Sequence, residues 1–189
     1  YADNDASGVF SPARAAHEFY NMNSNLSSSD LVINEVMSNN VSVAADPSGN
    51  FEDWVELYNT TDFPISTNNL YLSDNLTNLL KWDLPNHVIP ANGYYVGWAD
   101  EDGGQGEEHA NFQLSNAGEI ITMSNADSTF IDDVSYLMQN IDVAYGRSPN
   151  GIGDFTMLTP TFNSSNDMTS VIADKEVNVF TAFPNPFTD

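Results

Sequence analysis

The sequence contains no cysteine. Without thiols the chain has no disulfide framework, no thiolate ligand for a metal ion and no cysteine nucleophile. The 189 residues leave room for one substantial domain with tails, of a size that packing alone can stabilise. Stability is therefore expected to come from the core, or from bound ions.

Basic residues are almost as scarce, with 4 lysines and arginines against 27 aspartates and glutamates and a formal net charge of −23. Proteins bind phosphate backbones through lysine and arginine, so we expect no nucleic-acid partner. The same scarcity disfavours an anionic membrane surface. The acidic excess makes calcium a plausible partner, although an acidic surface that only keeps an exported protein in solution gives the same composition.

No apolar run is long enough to span a bilayer, so no transmembrane segment is expected. The first residues also lack the basic and apolar regions of a signal peptide. We therefore expect the sequence to be a piece of a longer protein.

The most informative stretch is residues 53–59, DWVELYN. Read with a period of two, it places Trp54, Glu56 and Tyr58 on one face and Val55 and Leu57 on the other. Bulky side chains on both faces indicate a strand that is covered on at least one side.

Further short strands are predicted, separated by turn signals at the spacing typical of a β-sandwich. They lie near residues 31–37, 70–73, 80–84, 94–99, 119–124, 130–136 and 143–147. Before them, Ser11 and Pro12 have the pattern of a helix start, which predicts a short N-terminal helix over residues 13–20. These patterns predict an all-β sandwich preceded by a short helical segment.

Several short motifs follow one another in an order that resembles bacterial lamin-tail domains. They are LVINEVM at 31–37, DWVELYN at 53–59, LSD at 72–74, KWDLP at 81–85, IPANGYY at 89–95, NFQLS at 111–115, GE at 118–119 and YGRSPNG at 145–151. The resemblance covers residues 31–166. It implies an immunoglobulin-like β-sandwich that serves as a non-catalytic module in secreted and surface proteins.

The chain is predicted to consist of three sections. Residues 1–30 are expected to be the tail of an upstream region plus a linker, and residues 31–166 the sandwich. Residues 167–189 are expected to be a linker and a first strand. The strand and the PNPF motif at 184–187 resemble the opening of a type IX secretion sorting domain, which implies a secreted or cell-surface protein. An ordinary strand ending in proline is the alternative.

A calcium site is the main candidate for a binding site. Between the first two strands, oxygen-bearing side chains alternate around Pro47 and Gly49, and such spacing can turn several oxygens toward a hard cation. A metal-free turn uses the same residue types. The predicted ligands are Asp46, Ser48, Asn50, Glu52 and Asp53, completed by Glu56 or Glu35.

Other notable side chains are interpreted as structural. Trp54, Trp82 and Trp98 lie in predicted strands and are expected in the core rather than on a sugar-stacking platform. Arg147, one of four basic residues, is expected to clamp a carboxylate across the sandwich. His109 follows an acidic, glycine-rich loop and is interpreted as a surface residue.

The function favoured by the sequence is a monomeric, non-catalytic module of a secreted or surface multidomain protein, with a structural or a protein-binding and adhesive role. The expected partner is a protein or a surface glycan whose identity the sequence does not give. No nucleophile elbow, phosphate-binding loop or zinc-protease motif is present. The alternative is a carbohydrate-binding or hydrolase accessory domain, in which Glu35 and Glu56 approach across adjacent strands as a carboxylate pair. A cleft enclosing both carboxylates would favour that alternative.

Overall fold

The structure is a computed structural model and describes residues 26–167. Within this range the chain contains eleven β-strands and no helix. The strands are β1 (Leu31–Met37), β2 (Trp54–Asn59), β3 (Ile65–Ser66), β4 (Leu70–Ser73), β5 (Trp82–Asp83), β6 (Val88–Ile89), β7 (Tyr94–Trp98), β8 (Gly118–Asn125), β9 (Phe130–Leu137), β10 (Ala144–Ser148) and β11 (Asp154–Leu158). The all-β prediction is confirmed.

The strands form two main antiparallel sheets and one short ribbon. The larger sheet has the order β11-β10-β1-β2-β7, and the second has the order β5-β4-β8-β9, while β3 pairs with β6. Apolar side chains from both sheets form one core, with Ile33 and Leu57 from the first sheet and Leu72, Ile121 and Val134 from the second. The molecule is therefore a β-sandwich.

The alternation in β2 assigns its side chains to two different environments. Val55 and Leu57 lie in the core between the sheets. Trp54 points away from that core and belongs to a second, smaller apolar cluster, with Met37, Trp98 and Ala144. The larger sheet is thus buried on both faces, which explains why β1 is buried along its whole length.

The cover over the outer face comes from the chain that follows β11. Phe162 lies edge-on to Trp54, with ring centroids 5.1 Å apart, and stacks on Trp98 at 5.4 Å. Leu158 and Ala44 pack at the border of the same cluster. Residues 159–166, which we call the cover segment, therefore form part of the folded unit.

Arg147 connects the two sheets. From β10 its Nη2 donates to both carboxylate oxygens of Asp132 on β9, at 2.9 and 3.0 Å. Its Nε donates to the carbonyl of Ile33 at 2.9 Å, and Asp132 in turn accepts a hydrogen bond from the Ile33 amide at 2.8 Å. The pair therefore joins β10 and β1 in one sheet to β9 in the other.

The long predicted strands are present, with ends that agree to within one residue. The predicted strand at 80–84 is reduced to the two residues of β5, and β3, β6 and β11 were not predicted. The predicted helix at 13–20 and the predicted sorting-domain strand lie outside the described residues.

Candidate functional site

The predicted calcium ligands do not converge on one point. Ser48 and Asn50 are exposed, Glu52 and Asp53 are half-buried, and Asp46 and Glu56 are buried. Asp53 Oδ1 accepts a hydrogen bond from the Asn40 amide at 3.2 Å, whereas Glu56 lies further along β2 beneath the cover segment. Asp46 is the one predicted ligand that belongs to a compact group of potential metal-binding side chains.

Asp46 organises the turn in which it lies. Its Oδ1 accepts a hydrogen bond from the Asn50 amide at 2.7 Å, and its own amide donates to the Asn50 carbonyl at 2.8 Å. Gly49 closes the turn with φ of +90°, a conformation that favours glycine. Asp46 Oδ2 is buried and has no hydrogen-bond partner, which is costly for a carboxylate oxygen.

Two further buried side chains lie beside Asp46. These are Asp100 and His109, and one potential ligand atom from each of the three residues lies within 4.8 Å of the others. The exposed fractions are 5% for Asp46, 8% for Asp100 and 4% for His109. We call this group the DDH cluster. The structure thus brings together residues from two loops that are far apart in sequence.

Asp100 and His109 stand at the two ends of the acidic loop that follows β7. The loop folds back so that Trp98 donates its amide to the Glu108 carbonyl at 2.8 Å and accepts from the Ala110 amide at 2.7 Å. This return brings His109 Nδ1 to 2.6 Å from Asp100 Oδ2. The interpretation of His109 as a surface residue is therefore wrong. The hydrogen bonds of Trp98 with the residues on either side of His109 hold this residue in a buried position.

The loop that carries Asp46 is held mainly by Asn40. The Asn40 side chain donates to the carbonyls of Ala44, at 2.6 Å, and Glu52, at 2.8 Å, and it accepts from the Val43 amide at 3.1 Å. Asn40 itself is buried. The backbone around Asp46 is therefore fixed from within the loop.

The surroundings of the DDH cluster are strongly negative. The pKa of the neighbouring Glu52 is raised, first by burial and then by the negative charges of Asp100 and Asp46. Carboxylates crowded in this way favour a bound cation, because the cation offsets their mutual repulsion. The arrangement is suited to holding a metal ion rather than an anionic ligand.

Glu35 and Glu56 form a separate buried pair. They are cross-strand partners in β1 and β2, and neither has exposed surface. The cover segment supplies their hydrogen-bond donors: the Thr161 hydroxyl donates to Glu35 at 2.7 Å and the Asn163 amide to Glu56 at 2.6 Å. Asn34 completes the network by donating to Glu56 Oε1 at 2.9 Å. The pair is sealed beneath the chain and does not line a cleft.

Burial of this pair predicts a pH-dependent stability. Desolvation raises the pKa of Glu56 from its usual 4.5 to about 8 and also raises the pKa of Glu35. A folded-state pKa above the unfolded value means that the stabilisation is complete below about pH 4.5 and is lost as the pH rises through 8. We expect the free energy of unfolding to fall over this range by about 4 kcal/mol, as measured by urea denaturation with a chelator present.

Salt separates this effect from the general repulsion among acidic residues. Surface repulsion has the same sign but is screened in about 0.5 M salt, whereas desolvation of a buried carboxylate is not. The Glu56→Gln variant is expected to show a flatter pH profile in high salt. A free energy of unfolding that rises between pH 5 and 8 would contradict the prediction.

The fold and the comparison with protein families agree. Two facing antiparallel sheets with a shared core define the class, a β-sandwich. The model of the Lamin Tail Domain family matches residues 24–137, more than half of the chain, and the chain belongs to this family. No curated protein matches the sequence.

The family assignment describes a non-catalytic immunoglobulin-like module. The match ends with β9, so β10, β11 and the cover segment lie beyond it. No helix within residues 26–167 is long and apolar enough to cross a membrane.

Sequence reasoning missed two members of the DDH cluster, Asp100 and His109. A usable signal was present, since an aspartate and a histidine bracket an acidic, glycine-rich loop directly after a predicted strand. Such a loop can bring its own ends together, as a chelating pair requires.

Proposed function

We propose that this lamin tail domain serves as a monomeric, non-catalytic structural or protein-binding module in a secreted or cell-surface protein. The observation that carries the proposal is the sealing of Glu35 and Glu56, the carboxylate pair best placed for chemistry. With every hydrogen bond to the pair coming from the domain itself, these residues stabilise the fold and do not contact a substrate.

A sugar-binding role is supported less well. Trp54, Trp82 and Trp98 have exposed fractions of 0%, 7% and 6%, so none presents a ring face on which a sugar can stack. The tryptophans contribute to packing instead.

Protein contact is supported by exposed apolar side chains where β9 ends. Leu137, Met138 and Ile141 have exposed fractions of 82%, 71% and 62%. Val41 lies near them, because Asp142 accepts a hydrogen bond from the Val41 amide at 2.8 Å. Because the chain as a whole carries a formal net charge of −23, the fitting partner is a protein surface with apolar side chains and a basic rim.

Location outside the cell is supported by sequence features alone. The resemblance of residues 177–189 to the start of a type IX sorting domain, together with the acidic composition, favours export. The module then acts among other domains or surface components.

A bound divalent cation, with calcium as the first candidate, is proposed to stabilise the module. Support comes from the unpartnered Asp46 oxygen and from Glu52, whose pKa is raised by burial and by nearby carboxylates. The cation would link the loop at residues 38–53 to the loop at residues 99–113.

The proposed function is tested by assaying the full chain against a panel of chromogenic glycosides and by its retention on polysaccharide affinity gels. We expect no turnover above the buffer blank and no retardation. The double variant Glu35→Gln, Glu56→Gln serves as the matched control. Turnover by the native chain that this variant lacks would establish catalysis and overturn the proposal.

A further inference from the structure

We propose that Asp46, Asp100 and His109 form a structural binding site for a divalent transition metal ion, represented here by zinc. The inference rests on the proposed stabilisation of the module by a cation, and it names the class of ion and the residues that hold it. It differs from the calcium site expected from the sequence in two of its three ligands.

The chemistry of the donor atoms selects the ion. Calcium takes six to eight oxygen ligands and has little affinity for imidazole, whereas zinc and its neighbours bind imidazole nitrogen together with carboxylate oxygen. The DDH cluster offers one imidazole and two carboxylates. Ser48 and Asn50, two of the oxygen ligands predicted for calcium, are exposed and are not buried with the cluster.

The unpartnered oxygen of Asp46 is an independent indication of a ligand. Only 5% of the surface of Asp46 is exposed, and its Oδ2 receives no hydrogen bond. The same side chain lies within 4.8 Å of the ligand atoms of Asp100 and His109. A metal ion at this position supplies the missing partner, and therefore removes the cost of burying that oxygen.

The contact between His109 and Asp100 fits a metal centre in a second way. Asp100 Oδ2 at 2.6 Å from Nδ1 fixes the orientation of the imidazole ring, and Asp100 Oδ1 is itself held by the Asp102 amide at 3.0 Å. Because Asp100 is itself a proposed ligand, this contact places a carboxylate oxygen and an imidazole nitrogen side by side, and an ion bound between them would take the place of the proton that they share. A hydrogen-bonded pair without metal has the same geometry, and the experiment must separate the two.

A metal at this site would connect two loops at the same end of the larger sheet. Asp46 lies in the connection between β1 and β2, and Asp100 and His109 lie in the connection that follows β7. The pairing of β2 with β7 ends at Trp54 and Trp98. The ion would hold the two chain segments together just beyond this last pair. The burial of all three ligands points to a structural role.

The test uses the full 189-residue chain, first treated with chelator and then dialysed. Thermal unfolding is measured without metal, with zinc and with calcium. We expect zinc to raise the melting temperature by about 5 to 10 °C at a hundredfold excess over its Kd, and calcium at the same concentration to have a much smaller effect. Cobalt(II) is expected to bind with visible absorption that zinc abolishes.

Two variants and one control locate the site. Asp46→Asn keeps the Oδ1 acceptor for Asn50 while removing the charge, so it should retain the metal-free melting temperature and lose the zinc effect. His109→Gln should lose the zinc effect as well. His87→Ala removes an exposed histidine and should leave the zinc effect unchanged, which controls for adventitious binding.

Each negative result of the metal-binding experiment would overturn a different part of the proposals. Stabilisation by calcium alone would overturn the transition-metal inference and leave the proposed cation stabilisation intact. No shift with either ion would overturn both, while the non-catalytic module is tested separately by the activity assay. A zinc effect that persists in Asp46→Asn and His109→Gln would place the ion elsewhere and overturn the assignment.

Discussion

Replacing Trp54 by alanine is expected to lower the free energy of unfolding by about 3 to 5 kcal/mol. Trp54 has no exposed surface and makes edge-on contacts with Trp98, at 6.2 Å between centroids, and with Phe162, at 5.1 Å. Its loss would leave a cavity between the sheet and the cover segment and remove both aromatic contacts. Urea denaturation at fixed pH measures the change.

The matched control is Phe130→Ala. Phe130 is also an aromatic residue in a strand, but it is 55% exposed and is expected to change the free energy of unfolding by less than about 1 kcal/mol. If Trp54→Ala cost no more than this control, the cover segment would not be packed on the outer face as described.

The second large effect is expected for Asp132→Ala, at about 3 kcal/mol. The substitution removes the acceptor for Arg147 Nη2 and for the Ile33 amide, and leaves a partly buried guanidinium without its carboxylate. Burial raises the pKa of Asp132, and the positive charge of Arg147 opposes that rise. Each partner is therefore expected to be costly to remove alone.

Asp133→Ala is the matched control for this pair, because Asp133 is the next residue on β9 and is exposed. A double-mutant cycle with Arg147→Met isolates the interaction. Arg147→Lys is expected to lower the melting temperature, since lysine cannot donate to the Ile33 carbonyl and Asp132 in the geometry of the guanidinium. An unchanged melting temperature in Arg147→Lys would contradict the bridging role.

The long strands were predictable because their side chains follow the period of a pleated sheet. The alternation of β2 and the apolar run of β1 are visible in the sequence without any tertiary information. β3 and β6 are two residues each and are too short to produce a pattern. β11 escaped prediction because half-exposed edge strands, such as its DFTML, have weak alternation.

The role of the cover segment could not be deduced from its composition. Asparagine, serine and threonine after residue 160 are typical of a linker. In the structure, Thr161, Asn163 and Asn166 use the same polar groups to satisfy buried partners, and Asn166 Nδ2 donates to the carbonyls of Asn34 and Arg147 at 3.0 Å. Three of the partners, Glu35, Glu56 and Asn34, lie more than a hundred positions away in sequence, so local composition does not reveal them.

The candidate site also combines a feature that the local sequence reveals with features that only the folded structure reveals. Asp46 was identifiable, because alternating oxygen side chains around proline and glycine are a local feature. Its assembly with Asp100 and His109 depends on the pairing of two loops, which no local pattern encodes. The buried oxygen that motivates the metal proposal becomes visible only after folding.

The position of β1 between β2 and β10 has a consequence for the kinetics of folding. One neighbour of β1 is close in sequence, while the other is formed by residues 144–148, near the end of the folded unit. Of the strands within residues 26–167, β1 is synthesised first, and it lacks one of its two neighbours until β10 has been synthesised as well. Pairing at such long sequence separation requires closing a long loop, and the entropy of that loop is lost before the contacts between β1 and β10 stabilise the fold. We therefore expect the domain to fold slowly compared with helical proteins of its size.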